Sequence, residues 1–126
     1  MKSFKQHIFE KLRVNKQSYT LFPETRDELI QMIKDEISKN GNRCSLNHID
    51  VSKITDMSYL FVNICNFNGD ISSWDVSNVK YMTEMFAQSD FNKDISNWVV
   101  SNVEDMWGIF TGTPLKKHPP KWYKKR

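Results

Sequence analysis

The chain has little glycine and less cysteine. Four glycines in 126 residues leave no phosphate-cradling loop. Neither Ser77 nor Ser101 lies in a Gly-x-Ser-x-Gly elbow or has a histidine base nearby, so nothing points to nucleophilic catalysis. Two cysteines, Cys44 and Cys65, are too few for a disulfide scaffold and are expected as thiols of a reducing compartment. Cys44 and His48 have Cys-x-x-x-His spacing, but zinc wants two further ligands, and Cys65, His7 and His118 are scattered. Asp70 and Asp94 both precede Ile-Ser without the oxygen-rich loop of a calcium site; each is expected to bond backbone in its own turn. No apolar run approaches the roughly 20 residues of a membrane span. Charges at Lys5, Glu10, Lys11 and Arg13 interrupt any apolar region of the kind a signal peptide needs. The expectation is a non-enzyme with no cofactor and no metal, not secreted by a signal peptide.

What is present is a stretch written twice. Residues 71–86 read ISSWDVSNVKYMTEMF and residues 95–110 read ISNWVVSNVEDMWGIF. Ile71, Trp74, Val76, Ser77, Asn78, Val79, Met82 and Phe86 recur 24 positions later as Ile95, Trp98, Val100, Ser101, Asn102, Val103, Met106 and Phe110. A weaker copy, DVSKITDMSYLF at 50–61, precedes them at an offset of 25. Such a period signals units too small to bury their own apolar side, which must stack on one another. Trp74 and Val76 have strand spacing. Ser77 stands where a helix N-cap is wanted, ahead of Val79, Met82, Met85 and Phe86 at i, i+3, i+6 and i+7. A polar return follows, carrying Phe67 or Phe91. The expected fold is therefore α/β: a short leucine-rich-repeat-like solenoid of about three strand-helix units over 46–112.

Its two ends need covers. Residues 23–45 are expected to form a capping helix, opened by Pro23 and a Thr25/Glu28 capping box. Its stripe is Leu29, Ile30, Ile33 and Ile37, and Asn40-Gly41 stops it. At the far end Trp122 and Tyr123 are expected to fold over the last unit from a basic tail, residues 113–126. Ahead of the helix, residues 1–22 read as an amphipathic leader and linker, with Phe4, Ile8 and Leu12 at spacing four. Charge is divided accordingly. Residues 1–19 carry five Lys/Arg and one acid, 20–115 carry seven and fourteen, and 116–126 carry six and none. An acidic body thus stands between basic ends, which are free to make contacts of their own.

The pattern F-N-x-D-I-S-x-W-x-V-S-N-V-x-x-M, closed by Met-Phe or Ile-Phe, resembles the repeat of BspA-like surface proteins and mycoplasma lipoproteins over about residues 46–112. That resemblance implies a repeat scaffold for binding, with no shared catalytic residues. The opening MKSFKQHIFEKLRVNK and the following YTLFPETRDEL resemble proteins of gut Bacteroidetes and their crAss-like phages, which implies a phage or prophage origin and a place in the bacterial cytoplasm or the virion. The leading functional expectation is a protein-protein interaction module. Its candidate partner-binding residues are Phe4, Ile8 and Leu12 in the leader and Lys116, Lys117, Lys121, Trp122 and Tyr123 in the tail. The alternatives are a virion structural or cargo protein, and a nucleic-acid binder in which the tail aromatics stack on single-stranded bases between cations.

Overall fold

The computed structural model describes residues 19–124. Among the described residues one α-helix, α1, spans Arg26–Asn40, and one 3-10 turn spans Pro114–Lys117. The strand-helix solenoid expected from the sequence is not what forms: among the described residues there is no sheet, only three isolated parallel bridges, Leu21 with Ile49, Asp56 with Tyr81, and Tyr81 with Asp105. The repeated stretch is instead a chain of tight turns.

The apolar spacing that resembles a helical stripe belongs to these turns. In 71–86 the amide of Trp74 bonds to the carbonyl of Ile71, that of Val79 to Val76, and that of Met85 to Met82. In 95–110 the same three bonds join Trp98 to Ile95, Val103 to Val100, and Ile109 to Met106. Each is a four-residue turn closed by an i to i+3 bond. The two ends of each turn point inward and the middle two residues outward, so a spacing of three arises without a helix. Two further features exclude one. Tyr59, Glu84 and Gly108 occupy equivalent places and all have positive φ (59°, 48° and 68°), a left-handed conformation that a right-handed helix cannot contain. The amides that a helix would turn on its own chain are also engaged elsewhere: those of Met82, Glu84 and Phe86 donate to Asp105, Trp107 and Ile109 of the next unit at 2.8, 2.9 and 3.1 Å. Ser77 is no helix cap; its amide and hydroxyl both donate to Asp75 Oδ1. Strands fail for the same reason, because turn bonds interrupt each run after one bridge.

Neighbouring units are held in register by side chains as well. Indole Nε1 atoms of Trp74, Trp98 and Trp122 donate to the carbonyls of Leu46, Ile71 and Ile95 at 2.9, 3.1 and 2.8 Å. Asn78 and Asn102 donate likewise to the carbonyls of Ser52 and Ser77. Backbone segments paired this way lie about 4.8 Å apart, which suits offset stacking of rings. Trp74, Trp98 and Trp122 stack with centroids 6.3 Å apart at both steps. Phe61, Phe86 and Phe110 stack at 5.3 and 5.9 Å, and Phe67 on Phe91 at 6.2 Å. Each such pair contributes about 0.5–1.5 kcal/mol beyond its area burial.

The first unit is closed by the preceding chain. The Thr25 hydroxyl accepts the Glu28 amide, and Glu28 Oε1 accepts the Glu24 amide. Leu29 and Ile33 of α1 are fully buried in the common core, with Ile30 and Ile37 packed at its edge. The helix stops at Gly41, whose φ is +89° and whose amide bonds to the Ile37 carbonyl at 2.7 Å. Leu21 pairs with the 48–50 segment, its amide donating to the His48 carbonyl and its carbonyl accepting from Asp50. Arg26 Nε donates to the Ser58 carbonyl at 2.8 Å, the place where the next two units have Thr83 and Trp107 carbonyls accepting backbone amides. A side chain from the helix thus stands in for a missing preceding unit.

Candidate partner-binding surface

The bridges place Asp56, Tyr81 and Asp105 in one outward row. Two positions along, Ser58, Thr83 and Trp107 form a second row of equivalent places, the Thr83 and Trp107 carbonyls accepting the Tyr59 and Glu84 amides. Beneath them Met57 and Met82 are fully buried. Tyr81 is 44% exposed, Trp107 66%, and Tyr59, beside the second row, 47%. Large aromatics at that exposure, on backbone tied between units, give this part of the repeat exposed apolar surface beside Asp56 and Asp105. The sequence carries a signal for it: aromatic residues adjoin the inward methionines in Tyr81-Met82 and Met106-Trp107. Read as a helix, those aromatics had no common side.

Carboxylates of this repeat serve turns. Asp50, Asp56, Asp70, Asp75, Asp94 and Asp105 each accept the amide two residues on through Oδ1, the short loop-closing bond to which Asp is suited. Hydrogen bonds from the Ser72 hydroxyl and amide hold Asp70 below the usual carboxylate range, and those from Ser96 do the same for Asp94. Among the described residues no three His, Cys, Asp or Glu side chains gather as metal ligands would. Cys44 and His48 do not converge on a common point: the Cys44 thiol reaches the Glu36 carbonyl at 4.0 Å, and His48 Nε2 pairs with the Glu36 carboxylate. Burial and the Glu36 charge raise the Cys44 thiol above its ordinary pKa. Both cysteines are free thiols.

Of the residues expected to bind a partner, Phe4, Ile8 and Leu12 lie outside the described residues. Lys116 and Lys117 are exposed on the 3-10 turn, and Lys121 is exposed beyond it. Trp122 and Tyr123 are half-buried and packed. Trp122 lies flat on Trp98, and Tyr123 sets its ring edge-on to Phe110 at 5.2 Å.

At this end the stack is incompletely covered. Val51, Val76, Ile54, Val79, Met57 and Met82 are buried, whereas Val100, Val103 and Met106 at the equivalent places are only partly so. In the two inner units the amides of Met57, Tyr59 and Phe61, and of Met82, Glu84 and Phe86, all donate to the next unit. The corresponding amides of Met106, Gly108 and Phe110 meet no acceptor among the described residues. They border a groove of about 210 Å³ lined by Met106, Trp107, Gly108, Phe110, Lys116 and Tyr123, with Asp105, Thr111 and Lys124 at its margin.

No helix among the described residues is long and apolar enough to cross a membrane. Comparison with curated proteins and with solved structures gave no match to either. Residues 28–125, running from α1 through the turn units to the packed aromatic tail, match the family described as a mycoplasma protein of unknown function, DUF285, and the chain belongs to that family.

Proposed function

We propose that this protein is a non-enzymatic interaction module that binds a protein partner through the outward face carrying Tyr59, Tyr81 and Trp107. The observation that carries the reading is the exposure of those three aromatics on backbone locked between units. Tyr and Trp are the residues most often found as interface anchors, and a side chain already held in place loses less entropy on binding. The exposed Lys116, Lys117 and Lys121 add a basic border to one end of an acidic body, which aids orientation and encounter more than affinity. The finer likeness to BspA-like surface proteins supports the same reading, because that family implies repeat scaffolds for binding.

The test compares the wild-type chain with a Tyr81→Ser/Trp107→Ser variant and, separately, a Phe4→Ser/Ile8→Ser/Leu12→Ser variant, by chemical crosslinking and mass spectrometry in lysate. The expected result is a set of partners crosslinked beside the aromatic face that the first variant loses while keeping its unfolding midpoint. Loss only with the second variant transfers binding to the leader. Retention of every partner by the first variant refutes the proposed face.

A further inference from the structure

We propose that the groove beside the last unit takes an acidic peptide segment from a partner protein, laid down as each inner unit lies on the one before it, whose backbone carbonyls lie on the amides of Met106, Gly108 and Phe110. This rests on reading the chain as a binding module, but concerns a second site.

The inner units show what this row of donors accepts. Met57, Tyr59 and Phe61 receive the carbonyls of Tyr81, Thr83 and Met85; Met82, Glu84 and Phe86 receive those of Asp105, Trp107 and Ile109. In both cases the acceptors are alternate residues of a parallel segment that turns, with Glu84 or Gly108 left-handed as its fourth residue, and N to O distances of 2.8–3.1 Å. A row of main-chain donors without such a segment can take one from another protein, main-chain bonds supplying affinity and side-chain pockets supplying choice.

The last unit differs from the inner two in ways that favour a visitor. Gly108 stands where Tyr59 and Glu84 carry side chains. Met106 is half-buried where Met57 and Met82 are covered, and the exposed Trp107 stands at the groove wall. These would pack apolar side chains of the peptide. Three amides that meet no carbonyl among the described residues and the Lys116 and Lys124 side chains favour negative charge, against Asp105 as the one acid on that lining. The basic leader, with five Lys/Arg and one acid in residues 1–19, is the wrong sign for it. A second copy offers no matching face at its own beginning, where Leu21, Arg26 and α1 already lie.

The test is an amide-proton NMR titration of the full chain with a blocked six-residue peptide of glutamate and valine with glycine fourth, the place of Glu84 and Gly108, against a matched peptide with lysine for glutamate. The expected result is a downfield shift and slowed exchange at Met106, Gly108 and Phe110 with the acidic peptide alone. A Lys116→Glu/Lys124→Glu variant with an unchanged spectrum elsewhere should weaken binding by about tenfold or more, from two exposed charge pairs reversed. Equal binding of both peptides, or shifts that leave the three amides untouched, overturns the proposal. So do cross-peaks between residues 1–18 and Gly108 in the free chain, which assign the groove to the leader, and concentration-dependent shifts without peptide, which assign it to a second copy. Failure here with the Tyr81/Trp107 face still required for crosslinking removes this site and leaves the interaction module standing.

Discussion

Gly108→Ala separates the turn-built unit from a strand-helix unit by the sign of its effect. Were 103–110 helical, removing a mid-helix glycine would stabilise the protein by about 1 kcal/mol. In the observed fold Gly108 has φ +68°, and an L-residue there costs about 1–2 kcal/mol. A Cβ at this place also comes within 2.9 Å of Glu84 Cγ; that side chain can rotate, so its share is small. The expected loss is thus about 1–2 kcal/mol, some 2–3 kcal/mol away from the helical expectation. The reciprocal change Glu84→Gly removes a left-handed non-glycine residue (φ 48°). It gains about 1 kcal/mol from relieved strain and loses about 0.4–1 kcal/mol through greater freedom of the unfolded chain, so it should be close to neutral or slightly stabilising. A helix would lose stability at that position. Urea unfolding reads both: with a slope of about 1–3 kcal/mol per molar, Gly108→Ala should lower the midpoint by roughly half a molar or more. A higher midpoint for Gly108→Ala, together with a lower one for Glu84→Gly, refutes the turn architecture.

Trp98→Phe keeps a stacked ring between Trp74 and Trp122 but removes the Nε1 bond to the buried Ile71 carbonyl. The Ile71 carbonyl keeps the Trp74 amide, so a loss of about 0.5–1.5 kcal/mol is expected for the one hydrogen bond removed, read by the same unfolding curve. Gly69→Ala places a Cβ 1.9 Å from the Cys44 carbonyl oxygen and 2.7 Å from the Phe67 ring; since backbone must move, a cost of about 3 kcal/mol and a clear drop in Tm are expected. Asp70 has a folded pKa below its unfolded value, so its contribution is present above about pH 4 and lost as pH falls through the folded pKa. Asp70→Asn should therefore flatten the acid limb of the stability-pH profile below pH 4 while the Ser72 amide keeps an oxygen partner. An unchanged acid limb refutes that assignment.

Much of the site was legible only in part. The recurrence of Trp74 as Trp98 marks a packing ladder, and Trp122, one more period along, continues it. The recurrence of Asn78 as Asn102 is as regular, yet its use as a bond to the preceding unit depends on where the neighbouring carbonyl lies. Glu84 against Gly108 reads as surface variation until the positive φ is seen. The place of exposed Tyr81 between Asp56 and Asp105 needs the register between units, which no single window of sequence contains.

The sequence by itself determined that similar units follow one another at 24 or 25 residues, that a capped helix stands before them, and which side chains are apolar enough to be inside. Those follow from local chemistry: turn residues, a Thr25/Glu28 cap, and the spacing of Leu, Ile, Val, Met, Phe and Trp. Tertiary structure decided that the unit is a series of turns. A spacing of three suits a helix stripe and the two ends of a turn equally, and the choice lies with the backbone amides of Met82, Glu84 and Phe86. With a neighbour's carbonyls 2.8–3.1 Å away, they are satisfied between units instead of along the chain, and among the described residues the matching amides of Met106, Gly108 and Phe110 have no such neighbour.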